Sequence, residues 1–485
     1  MIKKYLNIKS LYLIIIFLFA IPSIIHIFNS GFVLESDSYF HFFINNPELK
    51  GNSILNASIY AIFFISLFLI YFLFLKKHNK IFKNIKEIII LIVIVAVLFA
   101  IILPITSSDV FSYATTGEIQ SSYGANPYYY KIADVKEVND TSNNEILNAI
   151  TIWDNQLVIY GPLWSLICSV ITFLSFSKVS VALILFKIFA IVVHTANVIL
   201  IYKITRKKFW TILYGLNPYI LFETISNVHN DIYLVFFTLL ALYFFINKKH
   251  LVVALFFFAC ATCIKYITVL LVPIILIYYY RNETVGKRVL KCIKSGLLFI
   301  VFVIVMYLIY LRNIEMIFYV FIQQSKYRES ILTLIYVFLS KKGYIEYFSI
   351  VTRIISLLCI AGYVIYIFKL LFTKKVKFRR IINGWNVIVL LFILIYISNL
   401  CVWYFVWLFT AIGWQNARNT RIALYLPLIY ELLISYYFYL GVENASKTYC
   451  FSLISILVLL IILFSKSGLK IENKKIKNIN SVNKN

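Results

Sequence analysis

Residues 106–117 read Thr-Ser-Ser-Asp-Val-Phe-Ser-Tyr-Ala-Thr-Thr-Gly and open the one long polar interval in the first 250 residues. The apolar run Ile88–Ile105 lies directly before this interval, which continues to Pro162. Between Thr106 and Tyr160 there are seven acidic and two basic residues, although the whole chain has a formal net charge of +26. An acidic loop in a basic chain is a candidate functional surface on the side of a membrane away from the cytoplasm.

The sequence around this interval is that of a membrane protein. Hydrophobic residues make up 62% of the 485 residues, which excludes an ordinary soluble domain. Many apolar runs reach the length that crosses a bilayer, where only helices or closed barrels satisfy their backbone. Because the runs are continuous and do not alternate, the sequence predicts an all-α fold, a polytopic transmembrane helical bundle that forms a single domain over residues 1–485. Leu11–Phe28 has no small-residue cleavage site and is predicted to be a retained anchor.

The lysine and arginine clusters predict how the chain crosses the membrane. Their net charge could indicate nucleic-acid binding, but clusters in short loops are typical of the positive-inside rule, and no nucleic acid is expected. Placing the clusters in the cytoplasm predicts about 13–14 crossings with both termini inside. Residues 106–162 then form the first large extracytoplasmic loop, residues 312–345 a second outer segment, and residues 466–485 a basic cytoplasmic tail. Leu163–Phe176 is predicted to lie along the outer interface or to re-enter, so the outer loops carry juxtamembrane helices.

Asp109 is the first candidate catalytic residue, because it stands where an apolar helix meets the outer interface. A carboxylate there is costly unless it is paired or functional, and it could act as a general base towards a sugar hydroxyl. The alternative is a solvated loop acid or a helix cap beside Ser107 and Ser108. Glu35 and Asp37, just outside the first helix, are rival acids.

His229-Asn230-Asp231 places three polar side chains at the outer end of two apolar segments. Upstream, Asn217-Pro218 is expected to kink or break the helix. His229 could hold a phosphate, donate to a hydroxyl or shuttle a proton. The alternative is a capped loop, in which Asn230 or Asp231 caps the following helix.

Lys265 separates two unusually short apolar segments and is the most isolated charge in the apolar sequence. Short discontinuous helices with a polar residue between them often mark a binding site at membrane depth, and a cation there could stabilise a leaving phosphate. The alternative is a lysine that snorkels to the interface. Arg312 and Arg328 are weaker candidates for contacting a donor phosphate. Trp403 and Tyr404 could stack on a sugar ring or belong to the interfacial aromatic belt.

No cofactor is predicted. Cys260 and Cys263 form a CxxC inside a hydrophobic segment without a second ligand pair nearby, so they are interpreted as core residues and no metal site is assigned. The acidic loop nevertheless leaves binding of a divalent metal open.

Six fragments in chain order resemble motifs of the GT-C superfamily of membrane glycosyltransferases. The closest resemblance is to α-mannosyltransferases that use polyprenol-phosphomannose. The fragments are Ser108–Ala114 with Gly117, Gly124–Tyr128, Tyr160–Trp164, Asn217-Pro218 with Glu223 and Asn227–Asp231, Lys265, and Trp403–Trp407. They extend over roughly two-thirds of the chain. Ser226 departs from the glycine that the family often has, and the tail is short and rich in lysine.

The resemblance implies a reaction and a set of site residues. A hexose, with mannose favoured, would pass from a polyprenyl-phosphate donor to a hydroxyl of a cell-envelope glycan or glycolipid at the outer face of the cytoplasmic membrane. Asp109 would be the general base of an inverting displacement. The expected catalytic residues are Asp109, His229 and Asp231; the expected donor-phosphate ligands are Lys265, Arg312 and Arg328; the expected substrate-binding residues are Tyr113, Asn126, Tyr128, Tyr160, Asn230, Trp403 and Tyr404.

Two other functions share these features. A transporter or flippase for lipid-linked sugars would have similar helices and aromatics, but it would not need an acid at the membrane edge and would more often show internal repeats. No repeat of fixed period is evident. A glycan polymerase would use an oligosaccharide-diphosphate lipid in place of a monosaccharide-phosphate lipid.

The predicted topology is tested by cysteine labelling from each side of the membrane. In a cysteine-free background, Asp134→Cys should react with an impermeant thiol reagent added from outside, because the acidic loop is predicted to be extracytoplasmic. Lys207→Cys, in a predicted cytoplasmic cluster, is the matched control and should react only after the membrane is opened. Labelling of position 134 only from the cytoplasm would contradict the arrangement.

Overall fold

The computed structural model describes residues 2–30, 53–149, 154–246, 250–310, 331–373, 376–396 and 401–440. Glu35, Asp37, Arg312, Arg328 and the tail 466–485 lie outside the described residues, so the predictions for them stay predictions.

The helices are α1 (Ile2–Ser30), α2 (Ser53–Ile81), α3 (Ile85–Ile101), α4 (Asp109–Ser121), α5 (Ile132–Val138), α6 (Glu145–Ala149), α7 (Pro162–Phe173), α8 (Val179–Thr205), α9 (Lys208–Gly215), α10 (Pro218–Leu221), α11 (Asp231–Ile246), α12 (Leu251–Thr262), α13 (Leu271–Tyr279), α14 (Val285–Tyr307), α15 (Ile331–Lys342), α16 (Phe348–Phe372), α17 (Phe378–Leu391) and α18 (Ala417–Leu440). Phe222–Ser226 and Phe392–Tyr396 are π-helical, and Tyr266–Leu270, Ile345–Tyr347 and Val402–Phe409 are 3₁₀-helical.

The all-α class and the membrane-spanning character are confirmed. Among the described residues there are no strands, and six helices are long and apolar enough to cross a membrane, or seven if one bent pair is counted as a span. This number is below the 13–14 crossings predicted. Part of the difference arises because several apolar runs are divided, such as 209–226 and 401–413, and part because Phe451–Phe464 lies outside the described residues.

The helices differ in how much of their apolar surface other helices cover. In α2 half of the most apolar window is buried within the described protein, whereas in α14 and α16 the buried share is 6%. Exposed apolar side chains are stable in hydrocarbon but not in water. The long faces of α14 and α16 are therefore suited to contact with lipid.

Asn217 and Pro218 break the helix as the sequence predicted. Helix α9 ends at Gly215, and the Asn217 side chain accepts a hydrogen bond from the Tyr219 N–H, which caps α10. Pro218 is the first residue of α10, where its missing N–H costs nothing. The chain then continues through the π segment to Ser226.

A sharp bend of 114° separates the α10–π segment from α11. Inside this bend, Val228 has a φ of 60°, a left-handed conformation that is uncommon for a β-branched residue. Such strain persists only where surrounding contacts hold it, and it is frequent at functional sites.

The contacts that hold the bend come from the end of α3, the residues after it, and Lys187 of α8. The Ser226 hydroxyl donates to the Phe99 carbonyl at 2.7 Å, and the Asn227 amide donates to the Thr106 hydroxyl at 2.6 Å. The buried Lys187 ammonium donates to the carbonyls of Ile102 at 2.7 Å and Ser226 at 3.0 Å. Since both carbonyls stand near helix ends, one lysine side chain satisfies two groups that would otherwise lack partners. The bend is thereby tied to the start of the polar interval.

Two glycines let the polar interval approach the helices closely. A Cβ on Gly117 would stand 2.4 Å from the Cys168 carbonyl oxygen of α7, and one on Gly161 would stand 2.2 Å from that of Cys263. The Gly161 N–H donates to Ile264 O at 3.3 Å, and the Leu163 N–H donates to Cys263 O at 3.1 Å. These bonds join the end of the interval to the residues just before Lys265.

We expect Gly161→Ala to destabilise the protein by about 1–3 kcal/mol, because its methyl group would overlap a backbone carbonyl that cannot turn away. Gly296→Ala in α14 is the matched control, since nothing lies within 4 Å of the added Cβ. The measurement is thermal unfolding of the purified protein in detergent. Equal unfolding temperatures for Gly161→Ala and the control would show that the close contact does not exist.

Candidate active site

Asp109 begins α4, and three side chains converge on one of its oxygens. The Tyr160 hydroxyl donates to Oδ2 at 3.1 Å and the Tyr113 hydroxyl donates at 3.4 Å, while His229 Nδ1 stands 3.6 Å away. No contact among the described residues uses Oδ1. The side chain is 16% exposed, and the hydrogen bonds that it accepts from the described residues fall on Oδ2.

The position of Asp109 in α4 favours its ionised form. A carboxylate in the first turn of a helix interacts favourably with the helix dipole, and the Asp109 N–H is satisfied by the Ser107 hydroxyl at 3.2 Å. Burial raises the pKa of the Asp109 carboxyl, but interaction with His229 and the charge of Lys265 outweigh burial and hold this pKa below its ordinary value. Asp109 is therefore a carboxylate at neutral pH.

His229 is fully buried between two acids and an aromatic ring. Its Nε2 stands 3.3 Å from Glu223 Oε2, opposite the nitrogen that faces Asp109. The imidazole stacks on the Trp403 indole with ring centroids 3.8 Å apart and an interplanar angle of 16°. Both contact distances to the carboxylates are longer than a good hydrogen bond, and they describe a close electrostatic arrangement. The strained Val228 directly precedes His229 and helps set its direction.

Lys265 has no other charged residue near it in the sequence, but in the structure it pairs with an acid. Its ammonium donates to both Asp231 oxygens at 2.8 Å. The Trp407 indole N–H also donates to Asp231 Oδ1, and the Lys265 ammonium lies 5.0 Å from the centre of the Tyr404 ring. Asp231 has no exposed side-chain surface, whereas Lys265 is 12% exposed. The acid is thus the buried partner that holds an accessible cation in place.

Eight of the predicted site residues form one connected cluster. They are Asp109, Tyr113, Tyr160, His229, Asp231, Lys265, Trp403 and Tyr404. Polar groups and aromatic faces in one partly open cluster are the components of a sugar-binding site.

Asn126 and Tyr128 make hydrogen bonds that hold the polar interval in place. The Asn126 amide donates to Tyr310 O at 2.8 Å, and the Tyr128 hydroxyl donates to Tyr160 O at 2.7 Å. The first bond ties the interval to the residues after α14, and the second supports the segment that carries Tyr160 towards Asp109. Asn230 is fully buried, and neither polar atom of its side chain has a hydrogen-bond partner among the described residues.

Glu223, Trp407 and Glu431 belong to this region but were not selected as site residues from the sequence. Glu223 and Trp407 lie within the matched fragments, and Glu431 lies in none of them. Each glutamate is nevertheless a lone acid in an apolar segment, which is a signal of function in membrane proteins. The described residues contain no group of three or more His, Cys, Asp or Glu side chains arranged to hold a metal ion.

Comparison with known protein families identifies the chain. The family model described as Alpha-(1->6)-mannopyranosyltransferase, N-terminal domain (MptA/B family), matches residues 25–281, more than half of the 485 residues. No curated protein and no solved structure matches the sequence. The matched range includes Asp109, Glu223, His229, Asp231 and Lys265. This multi-pass membrane protein therefore belongs to the MptA/B family of alpha-(1->6)-mannopyranosyltransferases.

Proposed function

We propose that the protein transfers mannose from a polyprenyl-phosphate donor to a hydroxyl of a cell-envelope glycan or glycolipid. The reaction takes place at the outer face of the cytoplasmic membrane, with Asp109 as the general base. The observation that carries the proposal is the Asp109 carboxylate itself. Its Oδ2 is held by Tyr160, Tyr113 and His229, and we assign Oδ1, which has no hydrogen bond from the described residues, to the substrate hydroxyl.

The proposed step is a single displacement at C1 of the sugar. The acceptor O–H gives its proton to Asp109 while its oxygen forms a bond to C1. The bond from C1 to the phosphate oxygen breaks, and polyprenyl phosphate leaves with the electron pair. Such a displacement inverts C1, so an α-linked product requires a β-linked donor.

Asp231 is assigned a different role from the catalytic one expected from the sequence. It is fully buried and both of its oxygens receive bonds from Lys265, with a further bond from Trp407 to Oδ1. A carboxylate bound in this way is poorly placed to accept a proton from a substrate. We assign Asp231 to holding Lys265 in position.

Lys265 is assigned to the leaving phosphate. Charge accumulates on the phosphate oxygen as the bond to C1 breaks, and a positioned cation stabilises that charge more in the transition state than in the ground state. The partial exposure of the Lys265 ammonium and its place near Tyr404 and Trp407 support this role. The Trp403 and Tyr404 rings offer apolar faces for the sugar.

We expect Asp109→Asn to lose at least about a hundredfold in turnover, because an amide cannot accept the proton. Donor binding should change little. The measurement uses purified protein in lipid, labelled polyprenyl-phosphate mannose and cell-envelope acceptors. Asp140→Asn is the matched control, since Asp140 is a solvated acid of the same loop.

The rival acids are included in the same assay. Glu35→Gln and Asp37→Asn should each lose less than about tenfold, as ordinary loop carboxylates. An inactive Asp37→Asn beside an active Asp109→Asn would move the base to the first outer loop. Movement of the labelled lipid across the bilayer without sugar transfer would favour a flippase.

Lys265→Met should reduce both turnover and stability. It leaves the Asp231 carboxylate buried without its cation, and breaking a buried pair costs about 3–5 kcal/mol. The double variant Asp231→Asn with Lys265→Met should regain the unfolding temperature, since neither charge remains, but not the activity. Full activity of the double variant would show that Lys265 serves only to neutralise Asp231.

A further inference from the structure

Two acids that the proposed mechanism does not use lie beyond His229. Glu223 belongs to the π segment and Glu431 belongs to α18, and both side chains are completely buried. Tyr60, which bonds Glu431, packs edge-on against Phe222, the residue directly before Glu223, with ring centroids 5.8 Å apart, so the two acids lie in one buried region and each is within reach of the other's charge. The Tyr60 hydroxyl of α2 donates to Glu431 Oε2 at 2.6 Å, and His229 Nε2 stands 3.3 Å from Glu223 Oε2.

The hydrogen bonds of this pair are incomplete if both acids are ionised. Among the described residues, no group donates a hydrogen bond to either oxygen of Glu223 or to Oε1 of Glu431. Two buried carboxylates side by side repel each other strongly, and each oxygen without a donor adds a cost. A single proton between them removes the repulsion and supplies a donor.

We propose that Glu431 carries a proton on Oε1 and donates it in a hydrogen bond to Glu223, which makes Glu431 a positioning residue for the series Glu223–His229–Asp109. The protonated group is an acid held neutral by its surroundings, as in other buried carboxyl pairs. Its role in catalysis rests on the proposed function of Asp109.

The neighbours of each acid decide which one holds the proton. His229 lies against Glu223, with its Nε2 3.3 Å from Glu223 Oε2. Glu431 faces only Glu223 and the Tyr60 hydroxyl among the groups that act on its charge. The Tyr219 hydroxyl, the other titratable group that senses both acids, donates to Val402 O at 2.7 Å and not to a carboxylate. The proton therefore belongs on Glu431, on the oxygen that Tyr60 leaves free.

This arrangement fixes the direction of His229. The hydrogen bond from Glu431 holds the Glu223 side chain, and Glu223 Oε2 faces Nε2 of the imidazole. The opposite nitrogen is then aimed at Asp109 Oδ2. Without the hydrogen bond from Glu431, the Glu223 side chain would be free to turn. Asp109 would then lose its contact with His229, while the residues assigned to the sugar donor would keep their contacts.

The proton is detected directly by infrared spectroscopy of the full-length protein in lipid at neutral pH. A protonated carboxylic acid has a carbonyl band that a carboxylate lacks. This band should disappear in Glu431→Gln. In Tyr60→Phe it should remain and move to higher frequency, because the hydrogen bond to the Oε2 carbonyl is lost. The Tyr60→Phe result decides the question even if Glu431→Gln fails to fold.

The positioning role is tested by comparing two substitutions of Glu431. The Glu431→Gln amide can still donate to Glu223, whereas Glu431→Leu cannot. We expect Glu431→Leu to lower kcat about tenfold with little change in the KM for the donor, and Glu431→Gln to restore most of that loss. Equal losses in both variants would overturn the role, because they would show that a hydrogen bond donated to Glu223 does not account for the effect.

The infrared and kinetic results separate this inference from the proposed function. Absence of a carbonyl band that responds to Glu431→Gln or Tyr60→Phe would overturn the shared proton. An active Asp109→Asn would overturn the assignment of the base but would leave the band unchanged, since the band does not depend on turnover.

Discussion

The position of His229 between two carboxylates is the interaction on which the rest of the site depends. Burial removes the imidazole nitrogens from water, and the carboxyl groups of Asp109 and Glu223 replace that interaction from opposite sides. The same contact joins the start of α4 to the π segment. Trp403, which stacks on the same ring, belongs to the 3₁₀ segment before α18, so three separate stretches of the chain meet at His229.

The bend that carries His229 exists because its backbone groups are satisfied elsewhere. A broken helix inside a membrane protein exposes carbonyls and N–H groups that lipid cannot bind. Lys187 satisfies carbonyls of two broken ends, while Asn227 binds both the Ile105 N–H and the Thr106 hydroxyl. The strained conformation of Val228 is held by these bonds. The site is thus formed where helices are interrupted, and the interruptions are stabilised by polar side chains from neighbouring helices.

Much of the site followed from the sequence. Asp109, His229 and Lys265 are polar residues at the ends of apolar runs, and a charge in such a place is costly unless it has a partner or a function. The break at Asn217-Pro218 followed from the chemistry of proline and asparagine. Glu431 did not follow, because a lone acid in an apolar run gives no indication of its partner. The partner of Lys265 did not follow for the same reason, since Asp231 is 34 residues away in the sequence.

The sequence by itself determined the all-helical membrane class, the polar interval between α3 and α7, and membership of a mannosyltransferase family. These depend on composition, on the length of apolar runs and on motifs whose order survives without coordinates. Only the tertiary structure decided which acid meets which base, that the buried Asp231 pairs with the partly exposed Lys265, and that the protein's hydrogen bonds to Asp109 fall on one oxygen. Pairing depends on distances between side chains from different helices, and those distances are set by helix packing and by the 114° bend, which no local pattern encodes.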